Sequence, residues 1–308
     1  MRFECLPGCA LCCSYKVALL PGDEERIEGL GYQQTVFACD GALRKDNGFC
    51  VFLETDKRCS IHEGRPGLCR SFPFYLEDDG SIDVDLSCPG LGRGPEVEPA
   101  FDYAAGGKLD SKTTSSIPNY LPFEQFRKTG LHWLSAVSKS DALGTLLQSA
   151  RDQMRRHNRI PISNLGSLFD IVDGVNTHLS DEGIVTYPFL LLGDKLAIGE
   201  HTYPLTEGEM PREYMAGVLD YIQTWFGRYV FYRFCLACSM SMPAIRPMGI
   251  AFQFVATLTE RIADIRTALS QRWKRDDTET LREAIRAIDG RLRTRCRAAR
   301  IHIIEQEK

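Results

Sequence analysis

The chain has 308 residues, 44% hydrophobic and 25% charged, with a formal net charge of −4 and twelve cysteines. That length allows two domains and a sizeable core. So small a net charge gives no general affinity for nucleic acid or for an anionic membrane surface.

Arg2, Glu4 and Cys5 follow Met1 directly, so no signal peptide is expected. The longest apolar stretch, Tyr229 to Ile250, is broken by Arg233, Pro243, Arg246 and Pro247, too polar for a transmembrane helix. The expectation is a cytoplasmic protein whose thiols stay reduced. There, clustered cysteines favour metal over the alternative, a disulfide scaffold.

In chain order, residues 5–13 form a tight cysteine loop that turns at Pro7 and Gly8. Lys16 to Leu20 reads as extended. Asp23, Glu24 and Glu25 suit the positive end of a short helix stopping near Gly29 or Gly31, with Asp23 as its cap. Asn47-Gly48 is a turn, and Phe49 to Leu53 a strand. A second turn at Thr55-Asp56-Lys57 leads to Cys59, making a hairpin with cysteines on both arms. Pro66 fits the first turn of a brief helix carrying Cys69. Phe72 to Leu76 and Ile82 to Leu86 flank Asp78-Asp79-Gly80 as a second hairpin.

Residues 89–120 are rich in Gly, Pro, Ser and Thr and read as a linker with the domain boundary near residue 100. Helices are expected over 122–157, the pattern continuing over 165–180. Tyr187 to Leu205 reads as extended, a small hairpin, and helices resume at Pro211. Val255, Leu258, Ile262, Ile265 and Leu269 form one helical stripe. Ile285, Ile288, Leu292, Cys296, Ala299 and Ile303 form another after Asp276-Asp277-Thr278. The predicted fold class is α+β: a cysteine-rich metal-binding domain with short hairpins over 1–100, then a mainly α-helical domain over 101–308 ending in an antiparallel helical hairpin.

The chemistry concentrates between Phe3 and Gly94. Cys5, Cys9, Cys12, Cys13, Cys50, Cys59, Cys69 and Cys88 are the candidate metal ligands. Thiolates are soft donors that suit zinc or an iron–sulfur cluster, and either takes about four of them. Eight are enough for two such sites, and the adjacent pair Cys12 and Cys13 either serves both or leaves one free. Cys39 lies in an apolar neighbourhood and is expected to be a buried, non-ligating thiol. Arg58, Arg65 and Arg70 stand beside the cysteines, where guanidinium groups offset anionic charge and donate to sulfur. His62 is a weaker candidate as ligand or proton carrier. Gly90, Gly92 and Gly94 let backbone N–H groups approach a sulfur.

These motifs carry a resemblance. F-x-C-x3-C-x2-C-C, G-F-C-V-F-L, C-S-I-H-E-G-R-P-G-L-C-R-S-F-P-F and C-P-G-L-G-R-G, over residues 3–94, resemble the YkgJ-like cysteine-cluster family, which implies chelation of zinc or iron. The first cysteine pair is spaced by three rather than the family's two, and His62 stands where Tyr is usual. More distantly, the chain resembles the flagellin lysine N-methylases, the aromatic, arginine-bearing Tyr221 to Phe234 being the nearest part of its second half. That resemblance implies an iron–sulfur cluster, S-adenosylmethionine and a protein or peptide substrate. Cys5-x3-Cys9-x2-Cys12 also equals the spacing of the radical S-adenosylmethionine triplet, but no alternation of strands and helices follows to build that barrel.

Cys235, Cys238 and Cys296 read as core thiols on helices, with a redox or ligand role for the Cys235–Cys238 pair as the alternative. Arg282, Arg286, Arg291, Arg293, Arg295, Arg297 and Arg300 make a basic, solvated helix face. No exposed aromatic ladder accompanies them, so neither nucleic acid nor a membrane is an expected partner. The functional expectation is a cysteine-cluster metalloprotein, iron–sulfur before zinc, that modifies a protein or peptide by methyl transfer or redox chemistry. The alternative is a non-enzymatic zinc module, or one for metal delivery or electron transfer.

Overall fold

The computed structural model describes residues 1–104, 120–139, 142–157, 175–180, 183–192, 195–198, 200–204, 210–241, 245–289, 292 and 296. The chain divides into two compact units. The first comprises Met1–Gly106, Asp173–Leu190 and Ile198–Glu200; the second comprises Gly107–Val172, Leu191–Ala197 and His201–Lys308.

The first unit is built from very short elements. Strand β1 (Arg2–Phe3) is followed by a 3-10 turn at Cys12–Ser14, helix α1 (Asp23–Glu28) and helix α2 (Gln34–Phe37). Strands β2 (Ala38–Cys39) and β3 (Ala42–Leu43) pair, as do β4 (Lys45–Asp46) and β5 (Phe49–Cys50). Helix α3 (Gly67–Ser71) precedes a hairpin of β6 (Phe74–Leu76) and β7 (Ile82–Val84), and β8 (Leu91–Glu96) returns to pair antiparallel with β1. The same unit holds the pairing of β9 (Val175–Ser180) with β10 (Gly183–Leu192), which runs Gly183 opposite Ser180 to Pro188 opposite Val175.

Local chemistry accounts for the turns. Asn47 and Gly48 both take positive φ, 48° and 83°, the geometry that lets a two-residue loop follow the strand twist of β4 and β5. Cys50 therefore pairs with Lys45 rather than across the expected loop to the Cys59 arm. That arm is held by one bridge, Leu53 to Cys59, and by Ser60 N–H donating to the Phe52 carbonyl at 2.9 Å. Ile27, Phe37, Leu43, Phe52 and Ile61 are buried together as the core of this unit. Its composition explains why such short strands persist: they are held by a shared apolar centre, not by ladder length.

The expected linker is structured in its first part. Residues 91–96 are β8, and Gly90 and Gly94 permit the contact because a Cβ at either would fall 2.0 Å or 2.5 Å from Glu4 atoms. Residues 105–119, also assigned to that linker, lie outside the described residues.

The second unit is helical: α4 (Phe123–Val137), α5 (Leu143–His157), α6 (Met215–Gly227), α7 (Tyr229–Ser241) and α8 (Pro247–Trp273), with strands β11 (Lys195–Ile198) and β12 (His201–Pro204). The helical pattern read over 165–180 fails at 175–180, which is strand β9; its β-branched and polar alternation, Val175 to Ser180, pairs with β10 instead. Residues 165–174 lie outside the described residues. Pro247 opens α8 at its first turn, and Lys274, at φ 53°, ends it. Helix resumes at 278 and is described to 289, Asp277 capping it by accepting from the N–H and hydroxyl of Thr280, each at 2.9 Å.

Trp225, Phe226, Phe231, Phe252, Phe254, Phe126 and Trp133 pack in edge-to-face and tilted pairs through the middle of this unit. Gly130 lets α4 approach α6, for a Cβ there would sit 2.1 Å from the Phe226 ring. Tyr221, Arg228 and Asp289 form a buried polar knot in which Arg228 donates to both Asp289 carboxylate oxygens at 2.6 and 3.1 Å and Tyr221 donates at 2.7 Å. No described helix is long and apolar enough to cross a membrane.

Candidate metal centre

Seven of the eight predicted ligands, Cys5, Cys9, Cys12, Cys13, Cys50, Cys59 and Cys69, line one pocket of about 420 Å³ in the first unit. The eighth, Cys88, is buried outside the lining and bears electrostatically on Cys9 and Cys12. The chain brings the seven there from four separate segments. Cys9 and Cys13 are set by backbone turns, their N–H groups donating to Leu6 and Ala10 carbonyls at 3.1 Å each. Cys12 and Cys13 lie in the 3-10 turn, Cys50 on β5, Cys59 on its bridge to Leu53, and Cys69 on α3. Cys50, Cys59 and Cys69 also pack against the apolar core described above.

Three sulfurs share one local device. Cys50 accepts from the backbone N–H of Phe52, Cys59 from that of Ile61, and Cys88 from that of Gly90, in each case two residues on. A backbone N–H aimed at sulfur stabilises the thiolate, the form that ligates metal. The Gly90 contact matches the expectation placed on the glycines after Cys88. Gly92 and Gly94 instead take positive φ, 77° and 64°, within β8.

Burial opposes ionisation across the metal-free cluster. It pushes the Cys5, Cys50, Cys59, Cys69 and Cys88 thiols up, with neighbouring thiols adding to the effect. Cys12 and Cys13 divide one proton: Cys13 donates to Cys12, which brings Cys12 down to about 7 and raises Cys13. Arg65 lines the pocket and lowers Cys5, Cys12, Cys59 and Cys69. Lys45 acts on Cys50 in the same sense.

The buried carboxylate of Asp23 holds this arrangement in register. It accepts from Leu20 N–H at 2.8 Å, from Arg26 at 2.8 Å, and from Gly67 N–H at 2.9 Å. Arg26 in turn donates to the Arg65 carbonyl at 3.3 Å. Read from sequence, Asp23 caps its own helix; in the structure Gly22 is that cap and Asp23 caps α3, the helix that carries Cys69. A hydrogen bond spanning 44 residues has no local signal.

Other expectations divide. Arg70 is paired with Asp102, and Arg58, with its side chain 82% exposed, is paired with Asp56 at 3.4 Å. His62 lines the pocket rim, more than half exposed, with Nδ1 3.1 Å from Glu63. Cys39 is exposed, not buried as expected: Asp40 and Gly41 turn the chain at positive φ and leave its thiol outside, 3.8 Å from the Asp40 carboxylate. In the second unit Cys235 and Cys296 are buried and Cys238 is half-buried; burial pushes Cys235 up and Cys238 up to about 12, as befits inert core thiols. Arg282 and Arg286 pair with Glu279, while Arg291, Arg293, Arg295, Arg297 and Arg300 lie outside the described residues.

Among the described residues no group of three or more His, Cys, Asp or Glu side chains is arranged to hold a metal ion. The donor set nevertheless fits zinc or an iron–sulfur group by type and number, and N–H···S bonds already support three of its sulfurs. No curated protein and no solved structure matches the chain. Residues 4–89 match the model of the CxxCxxCC family, described as a putative zinc- or iron-chelating domain, which is the cysteine-cluster family that the motifs resemble and which supports a metal-binding role for this segment.

Proposed function

We propose that the cysteine pocket holds an iron–sulfur centre at which a small molecule meets a protein or peptide side chain, for methyl transfer or redox chemistry. One observation carries this reading: the thiols face a pocket of about 420 Å³, far more than a single ion fills. Structural zinc sites are closed by four protein ligands, whereas a reactive centre keeps an open side. The remaining walls include Leu6, Pro7, Val17, Leu43, Phe52 and Ile61, which exclude water and strengthen any charge interaction at the centre.

Cys5, Cys9, Cys12, Cys13, Cys50, Cys59, Cys69 and Cys88 would hold the iron, which supplies electron transfer and Lewis acidity when bound. Arg65 offsets the negative charge that the thiolates create and is placed to hold an anionic group of an incoming ligand. S-adenosylmethionine is the first ligand to try, on the strength of the distant sequence resemblance.

The test is iron, acid-labile sulfide and zinc analysis of protein purified without oxygen, with a visible spectrum. Iron with sulfide and a broad absorbance near 400 nm is the expected result, followed by saturable binding of S-adenosylmethionine. Zinc at whole-number stoichiometry with no visible absorbance overturns the iron–sulfur reading. It would favour the second one, a zinc-stapled module, for which the packing of Cys50, Cys59 and Cys69 on the core already speaks.

A further inference from the structure

We infer that the cysteine pocket takes a small organic anion, a molecule whose carboxylate or phosphate binds Arg65 while its apolar body lies against the pocket wall. The inference rests on the reading above, that a small molecule enters beside the metal, and adds the chemical class of that molecule.

Charge around the pocket is one-sided. Lys57, Arg58, His62 and Arg65 line it, and none of its described lining residues is Asp or Glu. Three of the four are already engaged. Lys57 Nζ lies 5.3 Å from the centre of the Phe49 ring, Arg58 pairs with Asp56 at 3.4 Å, and His62 Nδ1 faces Glu63 at 3.1 Å. Arg65 differs. Its Nε donates to the His62 carbonyl at 2.7 Å, and its two terminal nitrogens make no hydrogen bond with a described residue. Its backbone is fixed as well, since the Arg65 carbonyl accepts from Arg26 at 3.3 Å and Arg26 is anchored on the buried carboxylate of Asp23 at 2.8 Å. The result is a half-buried guanidinium, held in place from behind, with its fork open.

The thiols alone do not account for that fork. Offsetting thiolate charge needs a cation at this place, which a lysine would supply equally. A planar pair of terminal N–H groups instead matches two oxygens of one carboxylate or phosphate through two parallel hydrogen bonds. Val17, Leu43 and Phe52 wall the same pocket, so such a contact forms away from bulk water and is strengthened by it.

Size and surroundings favour a small molecule over an acidic polypeptide. A pocket of about 420 Å³ falls in the range of small-molecule sites. Outside it the charge is balanced: along residues 54–65, Glu54, Asp56 and Glu63 offset Lys57, Arg58 and Arg65. The Glu63 side chain is 98% exposed, so an acidic chain lying across the mouth meets like charge there, whereas a small anion inside meets the cations.

The experiment measures binding of hexanoate, hexyl phosphate, hexylamine and hexanol to the reduced full-length chain by isothermal titration, with metal content determined on the same sample. One anion per chain is expected, bound roughly 10-fold or more tighter than hexanol and hexylamine, and the tighter of the two anions identifies the oxygen group. Arg65→Met should abolish the preference and leave hexanol binding as it was. Arg65→Lys, which keeps the charge and loses the fork, should recover only part of it. The bound anion should also slow alkylation of the pocket cysteines by iodoacetamide and leave that of the exposed Cys39 unchanged. Equal binding of hexanol and hexanoate by the unaltered chain, or no binding of any probe, overturns the inference without calling on a variant to fold, and metal in the sample leaves the metal-binding reading standing. Tighter binding of a glutamate tetrapeptide than of either anion also overturns it, putting an acidic polypeptide at the mouth. A chain that takes up neither iron nor zinc overturns the underlying reading and this inference with it.

Discussion

Arg65 is where one side chain has the widest reach. A guanidinium keeps its charge at any pH of interest, and four thiols feel this one. In Arg65→Met the bulk remains and the charge goes, so those thiols hold their protons to higher pH. Metal loading should then require more alkaline solution, with affinity at pH 7 lower by roughly 10–100-fold, and Arg65→Lys should recover most of it. Competition with a coloured chelator measures this, and an unchanged affinity would sink the role. Arg65 was legible as a neighbour of cysteines, for it sits in the run between Cys59 and Cys69. That it outranks Arg58 and Arg70 was not: Arg58 also lines the pocket but is largely exposed and paired with Asp56, and Arg70 is paired with Asp102, contacts settled only by the folded chain.

At the scale of elements, close approach and buried charge carry the helical unit. Adding one methyl group in Gly130→Ala drives a Cβ into the Phe226 ring, and overpacking of this kind costs about 1–3 kcal/mol. Denaturant unfolding should show the midpoint fall with the slope unchanged. Asp289→Ala removes the carboxylate from a buried guanidinium and should cost about 3–5 kcal/mol, whereas Tyr221→Phe, which deletes one donor to it, should cost about 1 kcal/mol. If the two variants unfold alike, the ion pair is not what anchors the last helix. The apolar stripes on α8 and beyond Asp277 were readable from their spacing alone, and Ile262, Leu269, Ile288 and Leu292 are fully buried. The 175–180 segment misled because a short run with Val, Thr and Leu satisfies either period, and only its partner strand decides.

For the molecule as a whole, each unit has its own core, so loss of metal should be a local event. Chelation is expected to lower the melting temperature of the first unit while most of the far-UV helical signal, which the second unit supplies, persists. A single cooperative loss of both signals would contradict it. The pH dependence has two signs. Thiols raised by burial keep their protons at neutral pH, so metal entry must expel them, and affinity should climb with pH and fall on acidification. Without metal the protonated thiols suit the fold. That stabilisation is complete below the ordinary thiol value of about 8.5 and is lost as pH rises toward the raised folded-state values. The metal-free chain should therefore melt earlier above about pH 9, and the metal-loaded chain should not.

The pairing of β1 with β8 also sets a timetable for synthesis. Cys5, Cys9, Cys12 and Cys13 leave the ribosome before the rest of the cluster, and Cys88, with the Gly90 carbonyl that holds Glu4, arrives 75 to 83 residues later. At about 5–20 residues per second, the first four thiols wait on the order of 5–20 s before their site can close. During that interval they are open to oxidants and to whatever metal is most available. Faithful loading of this domain thus depends on the reducing capacity and metal supply at the ribosome as much as on the finished pocket.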